Sequence, residues 1–470
     1  MENKFQDECA VFGIYGYPEA GNVTYLGLYA LQHRGQESSG IVTSDGDAHY
    51  VEVDMGLVAD VFTRDRIAKL HGDMAIGHNR YSTAGESELK NAQPLALQFS
   101  MGSMAIAHNG NLVNAAAVRT KLEEIGSIFR STMDTEVITH LIAKSEESSF
   151  EARVVDALLQ VEGAYSILVM TEKQLVAVRD PHGFRPLAMG TLKGATVFAS
   201  ETCAFDLIGA EYVRDVKPGE MVVVSPGKVE TFFPFPKKKV SQCIFEFIYL
   251  SRPDSIIFGG SVHEIRKRFG RELATEAPVE ADLVIPVPDS GVPAALGYAE
   301  ESGLPFDMGL IRSHYVGRTF IEPSQSIRHF GVKIKLNPIR RLIEGKRVIV
   351  VDDSIVRGTT CKKIVQMLRY VGAKEVHVRV SSPPTSNPCY YGIDTPTKAE
   401  LIASSSSVEE IGKYLGCDSL AYLRQEKMLS LFDGGAKNFC TACFDANYPI
   451  KLPGMDIQQA ELFDSLLKTS

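Results

Sequence analysis

The chain has no apolar run long enough to cross a bilayer, no internal repeat and no low-complexity tract. Its first eight residues, Met1-Glu2-Asn3-Lys4-Phe5-Gln6-Asp7-Glu8, are polar and lack the apolar stretch of a secretory signal, so a cytoplasmic protein is expected. A surplus of basic charge is missing too. The net charge is −9 and the pI about 5.7, which argues against the broad basic face a nucleic-acid partner requires. In a reducing compartment, eight cysteines read as free, catalytic or metal-bound rather than as disulfides. What is present is the composition of an ordinary soluble protein, 44% apolar and 23% charged. A length of 470 residues exceeds one ordinary core, so two or three domains are expected.

Up to about residue 235 the pattern is mostly short apolar strands, at 9–15, 74–78, 104–108, 166–170 and 221–224, with helices such as 22–32 and 134–145. Strands with few helices predict packed layers, an α+β or sandwich arrangement. Phe233-Pro234-Phe235-Pro236-Lys237-Lys238-Lys239 interrupts both periodicities and reads as a linker. Beyond it helices (262–274, 292–302, 359–371) alternate with strands (283–287, 347–351, 375–380), which predicts a parallel α/β sheet.

The most informative run is 348–360. Val348-Ile349-Val350-Val351 fits a strand buried on both faces. It leads into Asp352-Asp353, then Ser354, Ile355, Val356, Arg357, Gly358, Thr359 and Thr360, and a helix follows with Ile364, Leu368 and Val371 on one face. Ligands bind at the carboxyl ends of such strands. Gly358 lets a phosphate come close, Thr359 and Thr360 offer hydroxyls, and the helix start offers free N–H groups. Two adjacent carboxylates suit sugar hydroxyls or magnesium rather than a phosphate; the competing reading is a plain acidic turn. Neither a Walker A loop nor a dinucleotide fingerprint is present.

This run resembles the signature of type I phosphoribosyltransferases. The resemblance implies that Asp352 and Asp353 hold ribose hydroxyls and that Ser354, Arg357, Gly358, Thr359 and Thr360 hold the 5′-phosphate of phosphoribosyl pyrophosphate. It implies that Ser290, in Pro288-Asp289-Ser290, joins Asp352 and Asp353 around Mg2+. A basic stretch, 312–341, with Arg318, Arg328, Lys333, Lys335, Arg340 and Arg341, could close over pyrophosphate; the alternative is a solvated charged face. Its Tyr315-Val316-Gly317-Arg318-Thr319-Phe320-Ile321 matches a family element.

Near the N-terminus, Cys9 opens Cys9-Ala10-Val11-Phe12-Gly13-Ile14, where a lone cysteine is usually a core residue. Polar clusters follow at the expected ends of elements: 33–40, 77–85, 107–111 and 133–136. Together they resemble the glutamine amidotransferases of the N-terminal-nucleophile class, an αββα sandwich. The resemblance implies a propeptide at 1–8 whose removal frees the α-amine of Cys9 as the local base. Cys9 would be the nucleophile and Asn109 and Gly110 the oxyanion hole. Arg80 would bind the glutamine carboxylate and Asp134 its α-amine. Taken singly, Arg80 and Asp134 also read as a structural ion pair and Asn109-Gly110 as a turn.

The domain order, 9–235 then 236–470, resembles that of the amidophosphoribosyltransferase family, in its iron–sulfur, propeptide-bearing type. The implied reaction makes 5-phosphoribosylamine, glutamate and pyrophosphate from glutamine, phosphoribosyl pyrophosphate and water, the first step of de novo purine synthesis, with ammonia passing through an internal channel. A homotetramer inhibited by purine nucleotides is implied as well. So is a [4Fe-4S] cluster on Cys243, Cys389, Cys440 and Cys443; Cys440-Thr441-Ala442-Cys443 alone is a weak signal, and zinc is the competing occupant. Cys203, Cys361 and Cys417 read as structural. Three departures from the family pattern stand out: Ala10 in place of glycine, Met133 in place of serine, and Arg312-Ser313-His314 in place of Lys-Asn-Arg. A sugar-phosphate aminotransferase and a catalytically silent nucleotide-sensing regulator are the rival readings. The 352–353 acids argue against the first and the intact Cys9 constellation against the second.

Overall fold

The computed structural model describes residues 9–81, 88–312, 336–433 and 435–452. The expected propeptide and nearly all of the expected basic lid, including Ser313 and His314, lie outside them.

Among the described residues, the first half builds two antiparallel sheets packed face to face. One has seven strands in the order Glu211–Asp215, Ala188–Leu192, Ala195–Ala199, Ala10–Tyr15, Met74–Arg80, Ser38–Ser44, His49–Met55. The other has six: Lys228–Phe232, Met221–Ser225, Leu175–Arg179, Gly163–Met170, Gly102–Leu112, Leu95–Phe99. The layering follows from alternation along each strand. In Ala10–Tyr15, Val11 joins the core between the sheets with Ile76, Leu168 and Phe198. Ala10, Phe12 and Ile14 point the other way, into a core with Leu28 and Phe205 of the helices Ala20–Ala30 and Cys203–Ile208. On the far side, Ile106, Ile167 and Val169 meet Ile138 and Val154 of the helices Asp134–Lys144 and Phe150–Leu158. This is the expected αββα sandwich.

The second half holds a parallel sheet in the order Leu283–Pro286, Arg347–Asp352, Glu375–Val380, Ser419–Tyr422. Strand Arg347–Asp352 is buried on both faces, as its run of β-branched residues predicts. Ile349 and Val351 pack with Phe269, Leu273 and Tyr298 of the helices Val262–Glu276 and Val292–Ser302. Val348 and Val350 pack with Ile364, Leu368 and Ile411 of the helices Thr359–Tyr370 and Val408–Leu415. Strand Ser419–Tyr422, which the sequence reading did not include, has only half-buried residues.

The expected linker has no regular structure, yet it is a strap rather than a tether. Phe235 is buried in the first half's core. Ser241 N and Cys243 N donate to His182 O at 2.8 Å and Phe184 O at 3.0 Å.

Candidate functional site

Cys9 sits just before strand Ala10–Tyr15, whose antiparallel register pairs Ala10 with Asn79 and so brings the thiol beside Arg80. Its Sγ donates to Tyr81 O at 3.4 Å. Burial pushes the thiol up to about 11, against the opposing effects of the Tyr81 contact and the Arg80 charge. Asp134 and Glu37 also act on the thiol through their charges, so the side chains named from sequence do converge. Arg80 is buried and pairs with Glu37 at 3.4 Å.

Asn109 and Gly110 were expected at the end of an element. They lie inside strand Gly102–Leu112 instead. Gly110 has φ +151°, and a Cβ there would stand 2.0 Å from Ala164 O and 2.9 Å from His108 Nε2. Only glycine fits, because the Ala164 carbonyl of the paired strand Gly163–Met170 stands where a Cβ would be. Asn109 Nδ2 donates to Ser200 Oγ at 3.4 Å, and Val11 N donates to the same oxygen at 3.0 Å. Ser200 thus ties the amide to the nucleophile's strand. Asn109 Oδ1 is buried and has no hydrogen-bond partner among the described residues.

Asp134 begins helix Asp134–Lys144 and accepts from Leu112 N at 2.9 Å, which pins the helix to the Asn109 strand. Burial opposes its charge, but the nearby His108 and the N–H groups of Leu112 and Thr135 outweigh burial and hold the carboxyl below its ordinary value. Two of the departures are accommodated. Ala10 lies in the helix-facing core. Met133 supplies no side-chain cap, while Glu136 accepts from Arg130 N and Ser131 N, both at 2.8 Å, at the start of the same helix.

Sequence reasoning gave no role to Arg34, Ser200 or Glu201. Arg34 Nε donates to Cys9 O at 3.2 Å and its Nη1 to Glu201 Oε1 at 2.6 Å. These partners lie far apart in the chain, so no local pattern marks them.

In the second half, Asp352 and Asp353 are buried at the carboxyl end of their strand. Leu283–Pro286 runs parallel beside it, and its following turn delivers Ser290, whose hydroxyl donates to Asp353 Oδ2. Ser354 Oγ donates to Asp353 Oδ1. Gly358 has φ +75° and caps helix Thr359–Tyr370 in the left-handed conformation. Thr359 Oγ1 is buried without a hydrogen-bond partner among the described residues, a donor placed where an anion would complete it. Arg357 pairs with Glu400 at 2.8 Å. Arg312 pairs with Asp289 at 2.8 Å.

The four cysteines named as a set also meet. Gln242–Cys243 and Phe439–Cys440 form a parallel pair with Cys243 opposite Cys440. Cys443 follows in helix Ala442–Asp445. Cys389 and Cys440 share an apolar cluster with Phe184 and Tyr391. Burial raises all four thiols, and Cys440 and Cys443 each feel the charge of the other cysteines. Among the described residues, no three His, Cys, Asp or Glu side chains close round a single ion. The loop after Cys389 reaches the first half: Asn111 Nδ2 donates to Tyr390 O at 3.0 Å, and a Cβ on Gly392 would stand 3.0 Å from Gly110 C.

A thiol-centred site in an αββα sandwich, joined to an acid-and-hydroxyl loop at a parallel strand end, defines a glutamine amidotransferase coupled to a phosphoribosyltransferase. Family models agree: residues 78–206 match a glutamine amidotransferase domain and residues 261–391 a phosphoribosyl transferase domain. The chain is 57% identical over 452 residues to the chloroplastic amidophosphoribosyltransferase 1 of Arabidopsis thaliana, covering 96% of this chain and 80% of that one. It is 49% identical over 451 residues to the amidophosphoribosyltransferase of Bacillus subtilis, covering 95% of each. The solved glutamine phosphoribosylpyrophosphate amidotransferase of B. subtilis, complexed with ADP and GMP, superposes with a TM-score of 0.91 at 48% identity, covering 95% of this chain and 98% of that one. The chain belongs to the amidophosphoribosyltransferase family.

Proposed function

We propose that the chain releases ammonia from glutamine at Cys9 and transfers it to C1 of phosphoribosyl pyrophosphate at the 352–360 loop, the opening reaction of purine synthesis. The observation that carries this reading is the presence, in one chain, of the Cys9–Arg80–Asn109–Asp134 constellation and the Asp352–Asp353–Thr359 grip.

Burial pushes the Cys9 thiol up to about 11, so the thiol rather than the thiolate is its resting form at neutral pH. It therefore needs a base. A free α-amine, titrating at roughly 7.7–8.0, is suited to that work, which supports removal of residues 1–8. The α-amine takes the Sγ proton and Sγ attacks the amide carbon. The oxyanion is met by Asn109 Nδ2 and Gly110 N. The amine returns the proton as the C–N bond breaks, ammonia leaves, and a thioester remains. Water then attacks the thioester, giving glutamate and restoring the thiol. Arg80 holds the substrate carboxylate and Asp134 its ammonium.

At the second site, Thr359, Thr360 and the helix start hold the 5′-phosphate, and Asp352 and Asp353 the ribose hydroxyls. Ammonia attacks C1 and pyrophosphate departs with the bonding pair. Ser290, Asp352 and Asp353 offer hard oxygen donors of the kind magnesium takes. When bound there, magnesium supplies positive charge against the departing pyrophosphate. Cys243, Cys389, Cys440 and Cys443 form a soft donor set that fits a [4Fe-4S] cluster of structural character, with zinc as the alternative that metal analysis separates. A cytoplasmic homotetramer inhibited by purine nucleotides completes the reading; the solved B. subtilis relative carries ADP and GMP.

The test is pyrophosphate release by anaerobically purified protein, supplied with glutamine or with ammonia. Release with both supports the assignment, and release with neither rejects it. Intact mass reports whether eight residues are gone. Iron and sulfide assay, beside zinc, identifies the metal.

A further inference from the structure

Residues 246–255 follow the strap and precede the parallel sheet, yet their polar groups reach into the first half. Glu246 is fully buried. Its carboxylate receives Arg34 Nη1 at 3.0 Å and Nη2 at 2.9 Å, and also Arg185 Nη2 and Ser251 Oγ. Arg34 Nε, on the same fork, donates to Cys9 O at 3.2 Å. A second acid is gripped in the same way. Glu201 Oε1 takes Arg34 Nη1, while its Oε2 accepts from Arg252 N at 2.9 Å and Ser255 Oγ at 2.7 Å. The residue before it, Ser200, accepts from Val11 N and Asn109 Nδ2.

The far end of the segment is fixed from the other direction. Arg266, on helix Val262–Glu276, donates to Phe247 O and Ser251 O, both at 2.7 Å, and its guanidinium feels the charge of Asp353. The segment is therefore held from both sides, by Arg34 of the first half and by Arg266 of the second.

A buried cluster of two arginines and two glutamates is poor glue, because apolar side chains of the same volume usually stabilise as much or more. What such a cluster supplies is direction. A guanidinium held bidentately by a carboxylate has its plane fixed, and with the plane goes the aim of Nε. Burial works against the charge on Glu246, but Arg185 and Arg34 override it and keep the carboxylate ionised. We propose that Glu246 is a positioning residue for the glutamine reaction: through Arg34 it sets the Cys9 backbone at its attack geometry. The first half alone therefore does not complete its own site. This rests on Cys9 as the nucleophile.

The experiment compares Glu246→Gln, Glu246→Asp and Ser251→Ala in the full-length protein. The readouts are glutamine- and ammonia-dependent rates, the rate of Cys9 alkylation by a diazo-ketone analogue of glutamine, and the unfolding midpoint. Glu246→Gln lowers kcat with glutamine roughly 10- to 100-fold, the penalty of a displaced reacting group, while KM for glutamine moves less than about threefold. Alkylation slows in parallel, and Glu246→Asp, which keeps the charge, recovers part of the loss. Ser251→Ala, a gentler change that still folds if Glu246→Gln does not, shifts the same ratio of glutamine to ammonia rates in the same direction.

Folded Glu246→Gln with glutamine kcat within about twofold of wild type overturns the inference. So does Ser251→Ala that leaves the ratio unchanged. Cys9→Ala keeps the two layers apart. If it still uses glutamine, the nucleophile assignment itself fails. If it does not, while Glu246→Gln does so at full rate, only the positioning role falls.

Discussion

The two halves of the molecule build their sites in opposite ways. The phosphoribosyl grip is nearly contiguous: strand Arg347–Asp352, its acids, Gly358 and the start of helix Thr359–Tyr370 lie within one short run. The proposed glutamine site is scattered. It would draw Cys9, Arg80, Asn109, Gly110 and Asp134 from two sheets and a helix, with Arg34 reaching in from the turn after helix Ala20–Ala30. A strand end and a helix start suffice to bind phosphate, since backbone groups do most of the work. A nucleophile with its own oxyanion hole needs side chains aimed from several directions, and only a rigid sandwich holds them.

That contrast can be broken or sharpened by substitution. The largest effect is expected from Cys9→Ala, which should cost roughly four orders of magnitude or more with glutamine and little with ammonia, measured as pyrophosphate release. Asp353→Asn acts on the shared site, so glutamine and ammonia rates should fall together by roughly 10²- to 10³-fold. Gly110→Ala places a methyl against Ala164 O; glutamine turnover should drop about 100-fold, ammonia use should persist, and stability should fall by about 1–3 kcal/mol in denaturant titration.

The smallest expected effect is on acid unfolding. The folded carboxyl of Asp134 lies below its ordinary value, so its stabilising contribution is fully present above the unfolded value of about 3.9 and is lost as pH falls through the folded one. Asp134→Asn should lower the unfolding midpoint at neutral pH, and that difference should close as pH falls below about 4, which flattens the pH dependence there. An equal loss at every pH would assign Asp134 a packing role instead.

The same contrast explains what could be read in the sequence. The second half was legible because its signal is local: β-branched residues run into two acids, a glycine, two threonines and an amphipathic helix. Its strand Ser419–Tyr422 was missed although Leu420-Ala421-Tyr422-Leu423 is apolar, since so short a run does not by itself separate strand from helix. In the first half the strands were legible as short apolar runs, but the site rested on resemblance. Asn109-Gly110 was expected at a strand's end, with a plain turn as the competing reading; it lies inside the strand, where the Ala164 carbonyl of the paired strand leaves room only for glycine. Glu201 and Glu246 had no signature at all, and Arg34 stood only as one member of the polar cluster 33–40. Their partners sit 167 and 212 residues away, and pairing at that range is set by the fold rather than by spacing.

The most direct measurement follows nitrogen. The protein is given glutamine labelled with 15N at the amide, phosphoribosyl pyrophosphate, and an excess of unlabelled ammonia, and the aminated sugar is trapped and analysed by mass. The account predicts that the label dominates the product of the wild-type protein and is absent from that of Cys9→Ala. Label diluted to its share of total ammonia, or label still transferred by Cys9→Ala, would contradict it.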